Sequence, residues 1–319
     1  RYMGLFSVAI DNESDKIVKV KTYADIENAF AQGKHAALLT IEGGTGIMGD
    51  PEIFREFYNF GVRVFGMAWC HNDLALCNKI LDEGGEDTGL TEKGKEIVKL
   101  GNELGMIFDV SHISDKGFWD LIELAKKPVI ATHSNFRSVC NHSRNLTDDM
   151  AKALIDRGGV IGLNLYRPII SEDKDKRDIP DYFKHLDYCL EKFGDNNIAF
   201  GCDIDGVSGD YLPSLDRKRS IHDQFIEFMQ KHYSEEVIEK VAYKNYMNYP
   251  MLVTISGTMK EADGEAIFAP EELQDAGYGV DRTLSVKEGN LSTSVTVRTS
   301  TQNAVAFTVM PTDKRAYTG

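Results

Sequence analysis

From the start of the chain to about Tyr249, short apolar runs rich in β-branched residues alternate with longer stretches whose apolar positions fall three and four apart. Such alternation is the rhythm of strand–helix units. It predicts seven strands, at residues 3–10, 36–41, 62–69, 106–110, 128–132, 160–165 and 197–202. Helix starts are legible between them. Asp50 precedes Pro51 in a run to Phe60, Thr91 precedes a run to Leu104, Ser114 precedes 115–127, Thr147 precedes 148–157, and Ser234 precedes a run to Tyr249. A Ser, Thr or Asp in such a place accepts the unpaired amide hydrogens of a first helical turn. Strands apolar on both faces and separated by helices imply a parallel sheet covered by helices. An open doubly wound sheet and a closed barrel both satisfy the pattern.

The pattern changes after Tyr249. Residues 250–319 hold none of the eight His, none of the five Cys and neither Trp, and they alternate polar with apolar at 291–298 and 304–309. Lys287-Glu288-Gly289-Asn290 reads as a hairpin turn. The expectation is a boundary near residue 250, with an α/β unit over 1–249 and a small antiparallel β-rich segment over 250–319.

Charge narrows the function classes. Thirty-six Lys and Arg against 50 Asp and Glu leave a net charge of −14, opposite to the footprint of a partner of nucleic acid or of anionic membrane surfaces. No apolar run approaches the ~20 residues of a membrane span. The five Cys form no Cys-x-x-Cys pair, which suits reduced thiols and a cytoplasmic location. The first residues lack a secretory-signal pattern, and the absence of an initial Met leaves truncation open.

In a parallel α/β architecture function gathers beyond the C-terminal ends of the strands. The expected strand ends carry Glu42-Gly43-Gly44, Ser111-His112, His133-Ser134-Asn135, Asn164 with Tyr166, and Asp203-Ile204-Asp205-Gly206. Singly, each has an ordinary structural reading, such as a loop hydrogen bond, a partly buried His or a turn-forming Asp. Jointly, two imidazoles and a carboxylate at one rim make a nitrogen–oxygen ligand set suited to Zn²⁺. The other His (35, 142, 185, 222 and 232) read as solvated.

These residues also carry a resemblance. The runs 38–44, 61–64, Gly89-Leu90-Thr91-Glu92-Lys93-Gly94, Asp109-Val110-Ser111-His112-Ile113-Ser114, 128–135, Arg144-Asn145-Leu146-Thr147, 158–162 and 201–206 resemble, in order, the membrane dipeptidase (renal dipeptidase) family of zinc peptidases. The likeness covers roughly residues 1–249. It implies a TIM-type (β/α)₈ barrel and hydrolysis of small dipeptides at two zinc ions bridged by a glutamate, here Glu42. His112 and His133 would ligate one ion, Asp203 would handle the proton of the attacking water, and Arg144 would take the substrate's free carboxylate. Asn164 and Tyr166 would line the pocket.

Two departures qualify it. The family's first strand, with a His-x-Asp pair for the second zinc, has no counterpart, so the resemblance implies a barrel lacking its first strand and one incomplete metal site. His71-Asn72-Asp73 is a minor candidate replacement, and Trp69 stands where some family members place a His. Residues 250–319 match nothing in the family and are a candidate cover for the barrel's open side. The leading reading is a zinc dipeptidase. The alternatives are a catalytically impaired scaffold or binding protein and, more weakly, a barrel hydrolase of lactones or amides. A homodimer stays open.

Overall fold

The computed structural model describes residues 2–203 and 212–248, together with the backbone of four strands at 256–258, 282–288, 291–297 and 304–310. The strands, in chain order, are β1 (Ile17–Val20), β2 (His35–Ile41), β3 (Val62–Gly66), β4 (Ile107–Asp109), β5 (Ile161–Leu163), β6 (Ile198–Phe200), β7 (Ser256–Thr258), β8 (Arg282–Glu288), β9 (Leu291–Val297) and β10 (Ala304–Met310).

The predicted helix starts hold. Asp50 Oδ1 accepts the amides of Glu52 and Ile53 ahead of Pro51–Phe60. Thr91, Ser114, Thr147 and Ser234 each accept an amide from the first turn of helices beginning at Glu92, Asp115, Asp148 and Glu235. The first expected strand does not form. Residues 3–10 lie in a helix, Tyr2–Asn12, with Phe6, Ala9 and Ile10 buried. That three-and-four spacing fits a helix face, and in so short an apolar run periodicity alone does not separate helix from buried strand. The strand that opens the sheet is β1, whose four residues were too short a signal. Helices Tyr23–Ala31, Ile179–Lys192 and Ile221–Met229 were also not foreseen.

All pairing in the main sheet is parallel, in the order β4-β3-β2-β10-β7, with β1 alongside the first half of β2 and β3 alongside its second half. Beyond β4 the expected strand at 128–132 runs as an extended segment. It bridges Asp109 through Ile130 and Ile161 through Ala131, and so leads on to the parallel pair β5-β6. Parallel neighbours therefore follow one another from β7 to β6, a TIM-barrel-like α/β arrangement. β8 and β9 form the expected antiparallel hairpin, whereas β10 joins the main sheet in parallel with β2.

The sheet packs closely under the rim. A Cβ on Gly162 or on Gly201 would lie 2.1 Å from the Thr132 carbonyl oxygen, so both glycines let neighbouring backbones grip the segment that leads into His133. Helix Ile179–Lys192 brings in His185, which is fully buried rather than solvated. Its Nδ1 accepts the amide of Phe136 and its Nε2 donates to the Ile170 carbonyl. A single tautomer with both nitrogens satisfied explains a histidine in the core.

Burial pushes the His185 imidazole down to about 4. In the unfolded chain it titrates near about 6.5, so between these values the unfolded state binds a proton that the folded state refuses. The contribution is complete above about pH 6.5 and is lost as pH falls toward 4, on the order of 3 kcal/mol. Denaturant unfolding should therefore show a shallower pH slope over this window in His185→Gln than in wild type. Equal slopes would contradict the assignment.

Candidate metal centre

β2 ends at Ile41 and delivers Glu42 into the interior, 6% exposed. The chain then turns at Gly43, where φ is +83° and a Cβ would meet Trp69 Cβ at 3.0 Å. β4 leads through Val110 and Ser111 to His112, and the segment after it leads through Thr132 to His133. β6 leads to Asp203. His112 and Asp203 hold φ of +70° and +50°, a region costly for non-glycine residues that persists where surrounding structure imposes it, often at functional sites.

The three foremost side chains converge. Glu42 Oε1 lies 3.0 Å from His112 Nε2 and 3.1 Å from His133 Nε2, and the two Nε2 atoms are 3.0 Å apart. Asp203 Oδ2 is set back, 3.9 Å from His133 Nε2. Among the described residues this is the one group of three or more His, Cys, Asp and Glu side chains able to share an ion. Asp205 lies outside the described residues.

The group fits a cation better than it fits itself. Both Glu42 oxygens are buried and find no hydrogen-bond donor of proper geometry among the described residues, an arrangement that is costly without a partner. A triangle with sides of 3.0, 3.0 and 3.1 Å has its centre about 1.75 Å from each corner, within the ~2.0–2.2 Å reach of zinc to nitrogen and oxygen. Two imidazoles and a carboxylate suit Zn²⁺ chemically and leave a coordination position open.

Electrostatics favour the ligand forms of Glu42 and His112, while the carboxylates around His133 favour its protonated form until a cation takes the proton's place. Burial alone would raise the Glu42 carboxyl, but the imidazoles of His133 and His112 outweigh it and hold the carboxyl well below the usual range. Burial, helped by the Arg144 charge, pushes His112 down to about 3 despite Glu42. For His133 burial also acts downward, yet the Asp203 and Glu42 carboxylates overcome it and raise the group.

Arg144 is 8% exposed. Its Nη1 donates to Ser134 Oγ at 2.9 Å and its Nη2 to the His133 carbonyl at 2.8 Å, so the guanidinium borders the group. Its loop is held by Arg137, which the sequence did not single out. Arg137 pairs through both Nη atoms with Asp115 and donates to the carbonyls of Ser143 and Asn145, the residues flanking Arg144. Asn164 is buried, with Oδ1 accepting the Tyr166 amide and Nδ2 reaching the His133 carbonyl, while Tyr166 is partly exposed. His71 is engaged by Glu83 and the Cys77 amide, and Asp73 by Lys93, so neither joins Glu42. Trp69 stands beside His112, ring centres 6.3 Å apart, with Lys79 over its ring.

The chain is similar to known proteins. A sequence profile of the membrane dipeptidase family (peptidase family M19) matches residues 3–250. A protein of Klebsiella pneumoniae, described as an uncharacterized protein in the pqqA 5' region, is 33% identical over 232 residues, which are 70% of this chain and 84% of that one. Among solved structures, a metallo peptidase from Rhodobacter sphaeroides, liganded with a phosphinate mimic of the dipeptide L-Ala-D-Ala, aligns with a TM-score of 0.69 at 24% identity. The alignment covers 77% of this chain and 71% of that one. The dipeptidase AC, a metallo peptidase of family M19, aligns with a TM-score of 0.68 at 24% identity, over 77% of this chain and 74% of its own. At such identities the structural likeness is one of fold, whereas the profile spans most of the chain with Glu42, His112 and His133 inside it. The chain belongs to the membrane dipeptidase family of peptidases.

Proposed function

We propose that the protein hydrolyses the peptide bond of small dipeptides at a zinc centre held by Glu42, His112 and His133 within a (β/α) barrel. The observation that carries this reading is the meeting of those three ligand atoms, with Asp203 set just behind them and the Arg144 guanidinium at their edge. The dipeptide mimic bound by the Rhodobacter sphaeroides peptidase supports the substrate class.

Bound there, a zinc ion supplies positive charge for a developing oxyanion and acidifies a water molecule toward neutral pH. The remaining work falls to the chain. Asp203 Oδ2 takes a proton from the attacking water and returns it to the departing amine, a general acid–base role. Arg144, with two of its N–H groups engaged by Ser134 and His133, presents others to the substrate's terminal carboxylate. A charge-assisted contact of that kind measures the length of a dipeptide. Asn164 steadies the His133 backbone through its contact with that carbonyl, and Tyr166, tied to Asn164 by its amide and exposed, is assigned to substrate contact.

Arg144→Ala should raise KM for free dipeptides at least about tenfold, while dipeptide amides, which lack the terminal charge, lose little. Steady-state kinetics on matched acid and amide substrates test this, and an unchanged KM for the acids would remove the assignment. A second reading, a dipeptide-binding relative without turnover, draws on one observation: the described residues furnish one ligand group, where the resemblance implies two ions. Stoichiometric zinc with tight dipeptide binding and no hydrolysis would favour it.

A further inference from the structure

We propose that Asp109 and Thr132 are positioning residues that set the tautomer of His133 and the spacing of the two imidazoles, so that the Nε2 lone pair of His133 faces the metal. This deepens the zinc-centre reading and rests on it.

The inference follows from counting donors. Asp109 is buried at the end of β4, and its Oδ1 accepts the backbone amides of Ser111 at 3.0 Å and Thr132 at 2.9 Å. Its Oδ2 lies 2.6 Å from Thr132 Oγ1. A carboxylate only accepts, so the single hydroxyl hydrogen of Thr132 points to Asp109. Thr132 Oγ1 is also 2.7 Å from His133 Nδ1. With its own hydrogen spent on Asp109, the Thr132 oxygen accepts there, and the hydrogen must come from Nδ1. Ser111 Oγ, 3.2 Å from Thr132 Oγ1, fills the remaining lone pair and itself accepts the His133 amide. In the neutral imidazole Nε2 is then bare, and it is the nitrogen that faces Glu42 and His112.

The same carboxylate fixes distance as well as orientation. Ser111 and Thr132 immediately precede His112 and His133, so one Asp109 oxygen ties together the two backbones from which the imidazoles project. Thr132 has little freedom to move away, because Gly162 and Gly201 press on its carbonyl. Partners of this kind, one shell behind a ligand, typically change metal affinity by about 10–100-fold when removed.

The test uses the full chain with zinc as the probe. Thr132→Val keeps the side chain's shape and removes the hydroxyl, and Thr132→Ser keeps the hydroxyl. Chelator competition should give a zinc Kd at least about tenfold weaker for Thr132→Val and within about threefold of wild type for Thr132→Ser. A loss of general stability alone would not produce rescue by serine. Independently, long-range ¹H–¹⁵N spectra of the metal-free wild type at pH 9 should show the His133 hydrogen on Nδ1, a readout that does not need any variant to fold. Hydrogen on Nε2, or a Thr132→Val protein that binds zinc as tightly as wild type, would overturn the proposal. If wild type bound no zinc, the metal-centre reading would fail, while the spectrum would still decide the tautomer.

Discussion

Glu42→Gln should lose about two to three orders of magnitude in zinc affinity and, with it, dipeptide turnover at any ordinary zinc concentration. The side chain keeps its size, so the effect isolates charge. Glu42 supplies the group's one anionic ligand atom, 3.0 and 3.1 Å from the two imidazole nitrogens. Zinc binding by four protein ligands is worth about 10–16 kcal/mol, so one ligand accounts for about 2.5–4 kcal/mol, which is the range just stated. Zinc retained after dialysis, measured with the hydrolysis rate, checks the expectation. A variant that keeps both within a few fold of wild type would show that the carboxylate is not a ligand.

Asp203→Asn should separate chemistry from metal binding. Its Oδ2 stands 3.9 Å from His133 Nε2, further out than the three mutually close ligand atoms, and the strained backbone at φ +50° aims it there. An amide of the same shape cannot carry the proton. The expected result is a fall in kcat of about 10²–10⁴ with zinc content unchanged. If the variant lost its zinc and recovered activity when zinc was added in excess, Asp203 would be a ligand and the proton role would need another residue.

How much of this was legible in the sequence depends on the physical signal each feature leaves. Glu42, His112, His133 and Asp203 stood out because each polar group closes an apolar run, and strand ends in parallel α/β folds face one rim. The caps at Asp50, Thr91, Ser114, Thr147 and Ser234 were legible because a helix start needs a side-chain acceptor whatever the tertiary context. Residues 3–10 misled for the opposite reason. Their face is decided by what they pack against, and the composition of so short a stretch suits helix and strand alike. Asp109, Thr132 and Arg137 were passed over because their roles are relational: a threonine beside a histidine has no signature until a carboxylate 23 positions earlier in the chain lies 2.6 Å from its hydroxyl. His185 needed the same knowledge, since its two partners, the Phe136 amide and the Ile170 carbonyl, lie 49 and 15 positions away. The parallel pairing of β10 with β2 is a long-range choice that alternation does not encode, because alternation fixes the faces of a strand and not its neighbour.

No helix among the described residues is long and apolar enough to cross a membrane.

Diffraction data collected on either side of the zinc absorption edge, from crystals of the full chain grown with zinc, test the central claim most directly. The account predicts an anomalous peak about 2.0–2.2 Å from a Glu42 carboxylate oxygen and from the Nε2 atoms of both His112 and His133. Zinc found only at other side chains, with those three left uncoordinated, would contradict it.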